Sequence, residues 1–136
     1  MSRPVNALIA DDESHVRTFL RLCLKELGIE KIWEADDGAQ AIAMVKLHQP
    51  ELMLLDINMP IMDGLEVLEQ LRQMKPDLPV VVVTVQSAMK TVLECVRLGA
   101  VAYVLKHGSK EAAIRALREA LDRIEHGDPD EPLEKS

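Results

Sequence analysis

Polar side chains that could act together on a phosphate group follow four apolar runs of this 136-residue chain. They are two adjacent carboxylates, a lone carboxylate, a hydroxyl and an amine: Asp11, Asp12, Asp56, Thr84 and Lys106. Three carboxylates held close together repel one another unless cations compensate them. Lys106 supplies one positive charge, and a single Mg²⁺, which prefers oxygen ligands, would neutralise the remainder.

The same residues predict what the metal would serve. Mg²⁺ together with Lys106 would clamp the oxygens of a transferring phosphoryl group, and Thr84 could donate a hydrogen bond to one of them. A carboxylate can itself attack phosphorus and become an aspartyl phosphate. Asp56 stands alone at the end of the predicted central strand, so it is the best placed nucleophile.

The elements that must position these residues are strands alternating with helices. Apolar runs at 7–10, 52–55, 80–83 and 101–105, together with a short strand at 32–35, predict five strands, and apolar residues at helical spacing follow each of them. Strands that are continuously apolar are typical of a parallel sheet covered on both faces. The sequence therefore predicts a doubly wound α/β fold, in which ligands bind at the carboxyl ends of the strands.

Local signals predict where several helices begin. Asp63 and Glu66 form a capping-box pair before the third helix. Ser87 is the predicted N-cap of the fourth helix, and Ser109 that of the fifth. These residues are expected to satisfy backbone N–H groups at the helix starts.

A second pair of aspartates, Asp36 and Asp37, also follows a strand. That strand should lie at the edge of the sheet, so we predict turn and capping roles for this pair and exclude it from the site. Asp11 and Asp12 alone could equally form a helix N-cap. Their joint placement with Asp56, Thr84 and Lys106 favours the site instead.

Composition excludes several functional classes. The chain is 48% hydrophobic and 29% charged, which is typical of a soluble globular protein, and its net charge of −7 argues against direct nucleic-acid binding. Its apolar runs are far shorter than the roughly 20 residues of a membrane helix. The start lacks a secretory signal, so we expect a cytoplasmic location. Cys23 and Cys95 form no C-x-x-C pair and are predicted to be buried thiols.

The length favours a single domain, which we expect to span residues 1–124. Residues 125–136 carry five acidic residues, one lysine and two prolines. We expect this segment to be a solvated acidic tail or the start of a linker.

The ordered set of residues resembles the receiver domain of two-component response regulators over about residues 5–124. The resemblance rests on Asp11-Asp12, on the segment DINMPIMDG at 56–64, on Thr84 and on Lys106. It implies a flavodoxin-like (βα)5 sandwich with strand order 2-1-3-4-5. It also implies a signalling switch rather than an enzyme, one that catalyses only its own phosphorylation and dephosphorylation.

By this resemblance Asp56 is the phosphoacceptor, and Asp11 and Asp12 are the acidic pair that serves Mg²⁺. The backbone carbonyl of Asn58 is a further metal ligand, and Lys106 holds the phosphoryl group. These roles agree with the chemistry inferred from the residue types.

The resemblance also implies a switch and its partners. Thr84 and Tyr103 correspond to the family's switch pair, in which the hydroxyl moves toward the phosphoryl group and the aromatic ring turns inward. The implied phosphodonor is a histidine kinase or a phosphotransfer protein. The implied output surface is the fourth helix, fifth strand and fifth helix within residues 88–124, which would bind a downstream protein or a second copy of the chain.

Two positions depart from the family pattern. Val85 stands where Ala or Gly is usual and is expected to narrow the path of a phosphodonor, which would slow phosphorylation. His107 replaces a cis-proline; we expect a trans peptide and a solvated histidine, because a non-proline cis bond costs about 2.5–4 kcal/mol. Gln86 and Asn58 flank the expected path of an attacking water, so we predict that they set the lifetime of the phosphoryl group.

Two other functions remain open. A degenerate receiver would bind partners without being phosphorylated, and Val85 and His107 are the support for it. A metal-dependent phosphatase with an aspartyl intermediate would share the acidic residues. Against the phosphatase, Asn58 stands where an aspartate general acid would be wanted, and the sequence has no insertion to cap a substrate.

Overall fold

A computed structural model of the protein describes residues 3–106 and 108–126. Strands and helices alternate throughout: β1 (Asn6–Ala10), α1 (Ser14–Glu26), β2 (Lys31–Ala35), α2 (Gly38–His48), β3 (Met53–Leu55), α3 (Gly64–Met74), β4 (Val80–Thr84), α4 (Met89–Arg97), β5 (Ala102–Leu105) and α5 (Lys110–His126). All strand pairs are parallel, and the sheet order is β2-β1-β3-β4-β5. The predicted doubly wound α/β fold and strand order are confirmed.

The sheet separates two apolar cores, because alternate residues of a strand point to opposite faces. Leu8 and Met53 pack in the core beneath α2, α3 and α4. Ile9 and Leu54, their neighbours in sequence, pack in the core beneath α1 and α5. Helices on both faces explain why the strands are apolar without alternation.

Both cysteines are buried, as predicted, and neither forms a disulfide. Cys23 belongs to α1 and packs in the core beneath α1 and α5, whereas Cys95 belongs to α4 and packs in the core on the other face of the sheet. Burial raises the pKa of the Cys95 thiol to about 11. At neutral pH this thiol is protonated and acts as a small apolar side chain.

Two of the predicted helix caps form and one does not. Asp63 Oδ1 accepts the Glu66 N–H at 3.0 Å, and Ser109 Oγ accepts the Ala112 N–H at 3.1 Å. The prediction that Ser87 caps the fourth helix is wrong. The N-cap of α4 is Ala88, with no side-chain capping bond. The helix begins one residue later than a cap at Ser87 requires.

Some sequence predictions fall outside the described residues. These are the conformation around His107 and the acidic tail from residue 127 onward. Glu125, predicted as the first residue of that tail, belongs to α5. No helix in the described part of the chain is long and apolar enough to cross a membrane.

Candidate functional site

Strand register aligns the ends of the four strands that carry the predicted site. The last residues of β1 and β3 are paired, and Asp11 and Asp56 follow them directly. Thr84, the last residue of β4, pairs with the residue of β5 that precedes Lys106. Within the described residues, Asp11, Asp56 and Thr84 are the polar side chains that the fold buries. These three buried polar side chains therefore lie at one edge of the sheet.

Lys106 bridges the two buried carboxylates. Its Nζ lies 2.7 Å from Asp11 Oδ2 and 2.9 Å from Asp56 Oδ2, and its side chain is 9% exposed. Glu13 Oε1 lies 3.6 Å from the same nitrogen. Burial alone would lower the pKa of Lys106, but its contacts with Asp11 and Asp56 outweigh burial and raise that pKa. The lysine is therefore a charged ammonium at neutral pH.

Asp11 is the most deeply buried of the acids, at 1% exposure. Burial raises its pKa, although the Lys106 ammonium and the Glu13 backbone N–H oppose that shift. Its Oδ1 accepts the Glu13 N–H at 2.9 Å. Its Oδ2 is buried and forms an ion pair with Lys106 Nζ at 2.7 Å. This oxygen has lone pairs available to a second cation.

A third carboxylate completes a cluster that fits a metal ion. One carboxylate oxygen each from Asp11, Asp12 and Asp56 lie within 4.8 Å of one another. Asp12 is exposed, so the cluster is open to solvent on its side. A donor set made only of oxygens suits Mg²⁺ and does not suit thiolate-preferring metals. An all-oxygen donor set whose three carboxylates outnumber the single Lys106 charge fits Mg²⁺ at this position.

The loop after β3 is built close to Asp56. Asp56 Oδ1 accepts the Asn58 N–H at 3.2 Å. A Cβ added at Gly64, the first residue of α3, would lie 2.3 Å from the Asp56 carbonyl oxygen. Only glycine permits that approach. The segment from Asp56 to Gly64 is therefore a compact loop that returns to the phosphoacceptor candidate.

Thr84 and Tyr103 both contact the backbone of Gln86. The Gln86 N–H donates to Thr84 Oγ1 at 3.3 Å, and the Tyr103 hydroxyl donates to the Gln86 carbonyl at 2.7 Å. The Tyr103 ring is half-buried against the core beneath α4. Burial, together with the nearby Cys95 and Asp56, raises the pKa of its hydroxyl. The two side chains of the predicted switch are thus joined through one residue of the β4–α4 loop.

The other predicted site residues lie at the surface of this edge. Asn58 is exposed, and Gln86 is half-buried. Val85 is more than half exposed. Their predicted effects on phosphorylation and dephosphorylation stay predictions.

Two residues of the site were missed at the sequence level. Glu13 contacts both Asp11 and Lys106, and its place directly after the acidic pair was an available signal. Arg17 Nη1 donates to the Asp11 carbonyl at 2.7 Å. A contact with a backbone carbonyl leaves no trace in residue types, so nothing in the sequence indicated this role.

Comparison with known proteins agrees with this geometry, and the chain belongs to the response regulator receiver domain family, whose model matches residues 7–130. The chain is 36% identical over 121 residues to the transcriptional regulatory protein PdtaR of Mycobacterium tuberculosis, covering 89% of this chain and 58% of that protein. It is 29% identical over 115 residues to the chemotaxis protein CheY of Bacillus subtilis, covering 85% and 96%.

The chain spans little more than half the length of the first curated relatives that it matches. Among solved structures, it is similar to the CheX–CheY–BeF3–Mg²⁺ complex from Borrelia burgdorferi, with a TM-score of 0.80 and 25% identity. That match covers 85% of this chain and 88% of the other. The predicted resemblance to receiver domains is confirmed. The chain contains the receiver domain of a two-component response regulator.

Proposed function

We propose that the chain is a switch that accepts a phosphoryl group on Asp56 from a histidine kinase or phosphotransfer protein. The observation that supports this most strongly is the Lys106 ammonium, held 2.9 Å from Asp56 at an edge that also carries Asp11 and Asp12. Family membership supports the same chemistry. An aspartate placed beside a fixed cation can attack phosphorus while the charge of the phosphoryl oxygens is compensated.

In the proposed transfer, an Oδ of Asp56 forms a bond to phosphorus as the bond from phosphorus to the donor's nitrogen breaks, and the donor imidazole leaves. Asp56 is 3% exposed, so little water competes at its carboxylate. Lys106 Nζ already lies 2.9 Å from Asp56 Oδ2. Its ammonium would pair with a phosphoryl oxygen without first moving in from solvent, because the side chain already lies in the site.

Asp11, Asp12, Asp56 and the Asn58 carbonyl would hold Mg²⁺, which when bound supplies positive charge to the phosphoryl oxygens. The chain fixes these ligands in different ways. Asp11 is held by the Glu13 N–H and Asp56 by the Asn58 N–H. The side chain of Asp12 is exposed, so the direction in which it points depends on the backbone that precedes it.

The contacts of Gln86 support Thr84 and Tyr103 as the switch pair. If the Thr84 hydroxyl turns toward a phosphoryl group, its hydrogen bond with the Gln86 N–H changes. The carbonyl of Gln86 accepts the hydrogen bond from the Tyr103 hydroxyl, so a shift of Gln86 also affects Tyr103. A local change at Asp56 would thereby reach β5 and α4. Such a shift between two arrangements is how a modification changes a distant surface.

The surface proposed to respond is the face formed by α4, β5 and α5. It carries apolar side chains that the fold leaves exposed: Met89 at 68%, Leu93 at 55% and Leu105 at 36%. Apolar side chains exposed on one face favour protein binding. We propose that a downstream protein, or a second copy of the chain, binds this face.

Incubation with Mg²⁺ and a small acyl phosphate, followed by intact mass and peptide mapping, tests the phosphoacceptor. We expect one phosphoryl group on the peptide containing Asp56, none in Asp56→Asn and none with excess chelator. Asp36→Asn is the matched control, since it removes an aspartate from the same carboxyl-terminal end of the sheet. This variant should be labelled normally. Labelling that persists in Asp56→Asn, or wild-type protein that takes no label, would contradict the proposal.

Hydrogen–deuterium exchange with and without Mg²⁺ and BeF₃⁻ tests the responsive face. We expect exchange to change in α4 and β5 and to stay constant in α2, which lies on the other side of α3. Equal changes in α2 and α4, or no change in either, would exclude the proposed route through Gln86.

A further inference from the structure

Arg17, on the first turn of α1, joins the acidic pair to the edge strand β2. Its Nη1 donates to the Asp11 carbonyl at 2.7 Å, and its Nε donates to Glu34 Oε1 at 2.8 Å. The Arg17 side chain is 16% exposed. Two hydrogen bonds donated by one planar guanidinium fix the orientation of that group. The single ammonium of a lysine could not donate two bonds in these two directions.

The carbonyl that Arg17 holds belongs to the peptide group between Asp11 and Asp12. Because a peptide group is planar, fixing that carbonyl fixes the direction in which the chain enters Asp12. The other side of Asp11 is held by the sheet, since its N–H donates to the Ala35 carbonyl at 3.0 Å. Arg17 therefore controls the one backbone group that lies between two proposed metal ligands.

Glu34 is itself firmly held. Arg21 Nε donates to Glu34 Oε2 at 2.9 Å, and the guanidinium also reaches the Ile32 carbonyl at 3.4 Å. Burial alone would raise the pKa of Glu34, but the hydrogen bonds from Arg21 and Arg17 outweigh burial and lower it. Glu34 is thus a charged anchor on β2. Two arginines of α1 share this anchor, and Arg17 is the one that also contacts Asp11.

We propose that Arg17 is a positioning residue for Mg²⁺. Through the Asp11 carbonyl, it sets the direction from which Asp11 and Asp12 present their carboxylates, and Glu34 anchors it. This inference rests on the proposed Mg²⁺ site. Removing an outer contact that orients a metal ligand typically weakens metal binding by about 10–100-fold.

The test compares Arg17→Met with Arg21→Met by calorimetric Mg²⁺ titration and by urea unfolding in chelator. Both variants remove one arginine from the same carboxylate and the same helix, and both keep an apolar stem. We expect Arg17→Met to weaken Mg²⁺ binding by about tenfold or more. Arg21→Met should bind Mg²⁺ as the wild type does, while both lose similar stability.

Equal Mg²⁺ affinity in the two variants would overturn the positioning role and leave the proposed Mg²⁺ site standing. A wild-type chain that does not bind Mg²⁺ would instead overturn the site itself. If Arg17→Met fails to fold, Arg17→Lys serves in its place, because one ammonium cannot reproduce both donated bonds. That variant should lose Mg²⁺ affinity relative to Arg21→Met, and unchanged affinity would overturn the inference.

Discussion

Asp11-Asp12 and Asp36-Asp37 follow neighbouring parallel strands at the same level of the sheet. The last residues of β1 and β2 are directly paired, so the two aspartate pairs begin side by side. Asp11 is nevertheless buried against Lys106, whereas Asp36 is exposed. An identical dipeptide in an equivalent register has two different environments.

Position in the sheet accounts for the difference. β1 lies between β2 and β3, so Asp56 lies beside Asp11, and Lys106, which follows β5 at the opposite edge of the sheet, reaches both carboxylates. β2 is an edge strand, and its aspartates turn into α2. Asp37 Oδ1 accepts the Gln40 N–H, and Gln40 Oε1 accepts the Asp36 N–H, both at 2.7 Å. One pair is a local helix cap, and the other is part of a crowded charge cluster.

The largest effect should come from removing the cation that the interior pair requires. Lys106→Met leaves two buried carboxylates unpaired, so we expect the free energy of unfolding in chelator to fall by about 3–5 kcal/mol. Urea unfolding at pH 7 measures it.

Lys110→Met is the control for that experiment. Lys110 pairs with Glu26 at 2.9 Å, but both side chains are about half exposed, at 45% and 54%. Its loss should cost far less than the loss of Lys106, because solvent screens an exposed ion pair. Equally small losses in the two variants would show that the interior carboxylates are as well solvated as Asp36 and Asp37.

The next effect concerns the metal. Asp12→Asn removes one proposed ligand, so we expect Mg²⁺ affinity to fall at least about a hundredfold, equivalent to about 2.7 kcal/mol. Asp37→Asn makes the same chemical change in the edge pair and should bind Mg²⁺ normally. Calorimetric titration of both variants decides the matter. A similar loss in both variants would mean that the metal does not distinguish the two pairs.

A smaller effect is a pH-dependent gain of stability in Asp11→Asn. Burial raises the folded-state pKa of Asp11 above its ordinary value of 3.8, so the folded chain binds a proton more tightly than the unfolded chain. Wild-type stability therefore carries a penalty at pH values above the raised pKa. Without metal at pH 7, we expect Asp11→Asn to be more stable than wild type, because the variant has no buried carboxylate charge to penalise.

That difference should shrink as the pH falls through the raised pKa toward 3.8, because the wild-type carboxyl then becomes neutral. Unfolding curves at several pH values in chelator measure the trend. Asp36→Asn, in the exposed edge pair, should show no such trend. A wild-type chain more stable than Asp11→Asn at pH 7 would contradict the assigned burial penalty.

The smallest effect belongs to the edge pair. Asp37→Ala removes the α2 cap and should cost about 1 kcal/mol without changing Mg²⁺ affinity. Asp36→Ala leaves the cap in place and should change stability by less than about 0.5 kcal/mol. Unfolding and Mg²⁺ titration of the two variants test whether capping is the role of this pair.

The sequence predicted the fold and the meeting of the strand ends because both depend on strong patterns. Mostly apolar runs predict five parallel strands, and the carboxyl ends of such strands share one edge. The sequence alone therefore predicts that Asp11, Asp56 and Lys106 lie close together. The edge position expected for the second strand likewise assigned Asp36 and Asp37 to turn and capping roles, and the structure shows Asp37 as the N-cap of α2.

Other features of the site and fold could not be predicted, because they depend on distances that residue types do not encode. The bond from Arg17 to the Asp11 carbonyl depends on how α1 packs over β1 and β2. The failed cap at Ser87 depends on a single residue of offset at the start of α4, which capping preferences alone do not resolve. The joint contact of Thr84 and Tyr103 with Gln86 depends on the path of one loop.

A crystal structure of the chain with Mg²⁺ and BeF₃⁻ tests the central claim most directly, because it shows where a phosphoryl analogue and its metal bind. We predict BeF₃⁻ bonded to a carboxylate oxygen of Asp56, with Lys106 and Thr84 contacting its fluorides. Mg²⁺ should be ligated by Asp11, Asp12 and Asp56. Binding of either group at Asp36-Asp37, or a Lys106 bridge that persists with neither group bound, would contradict the account.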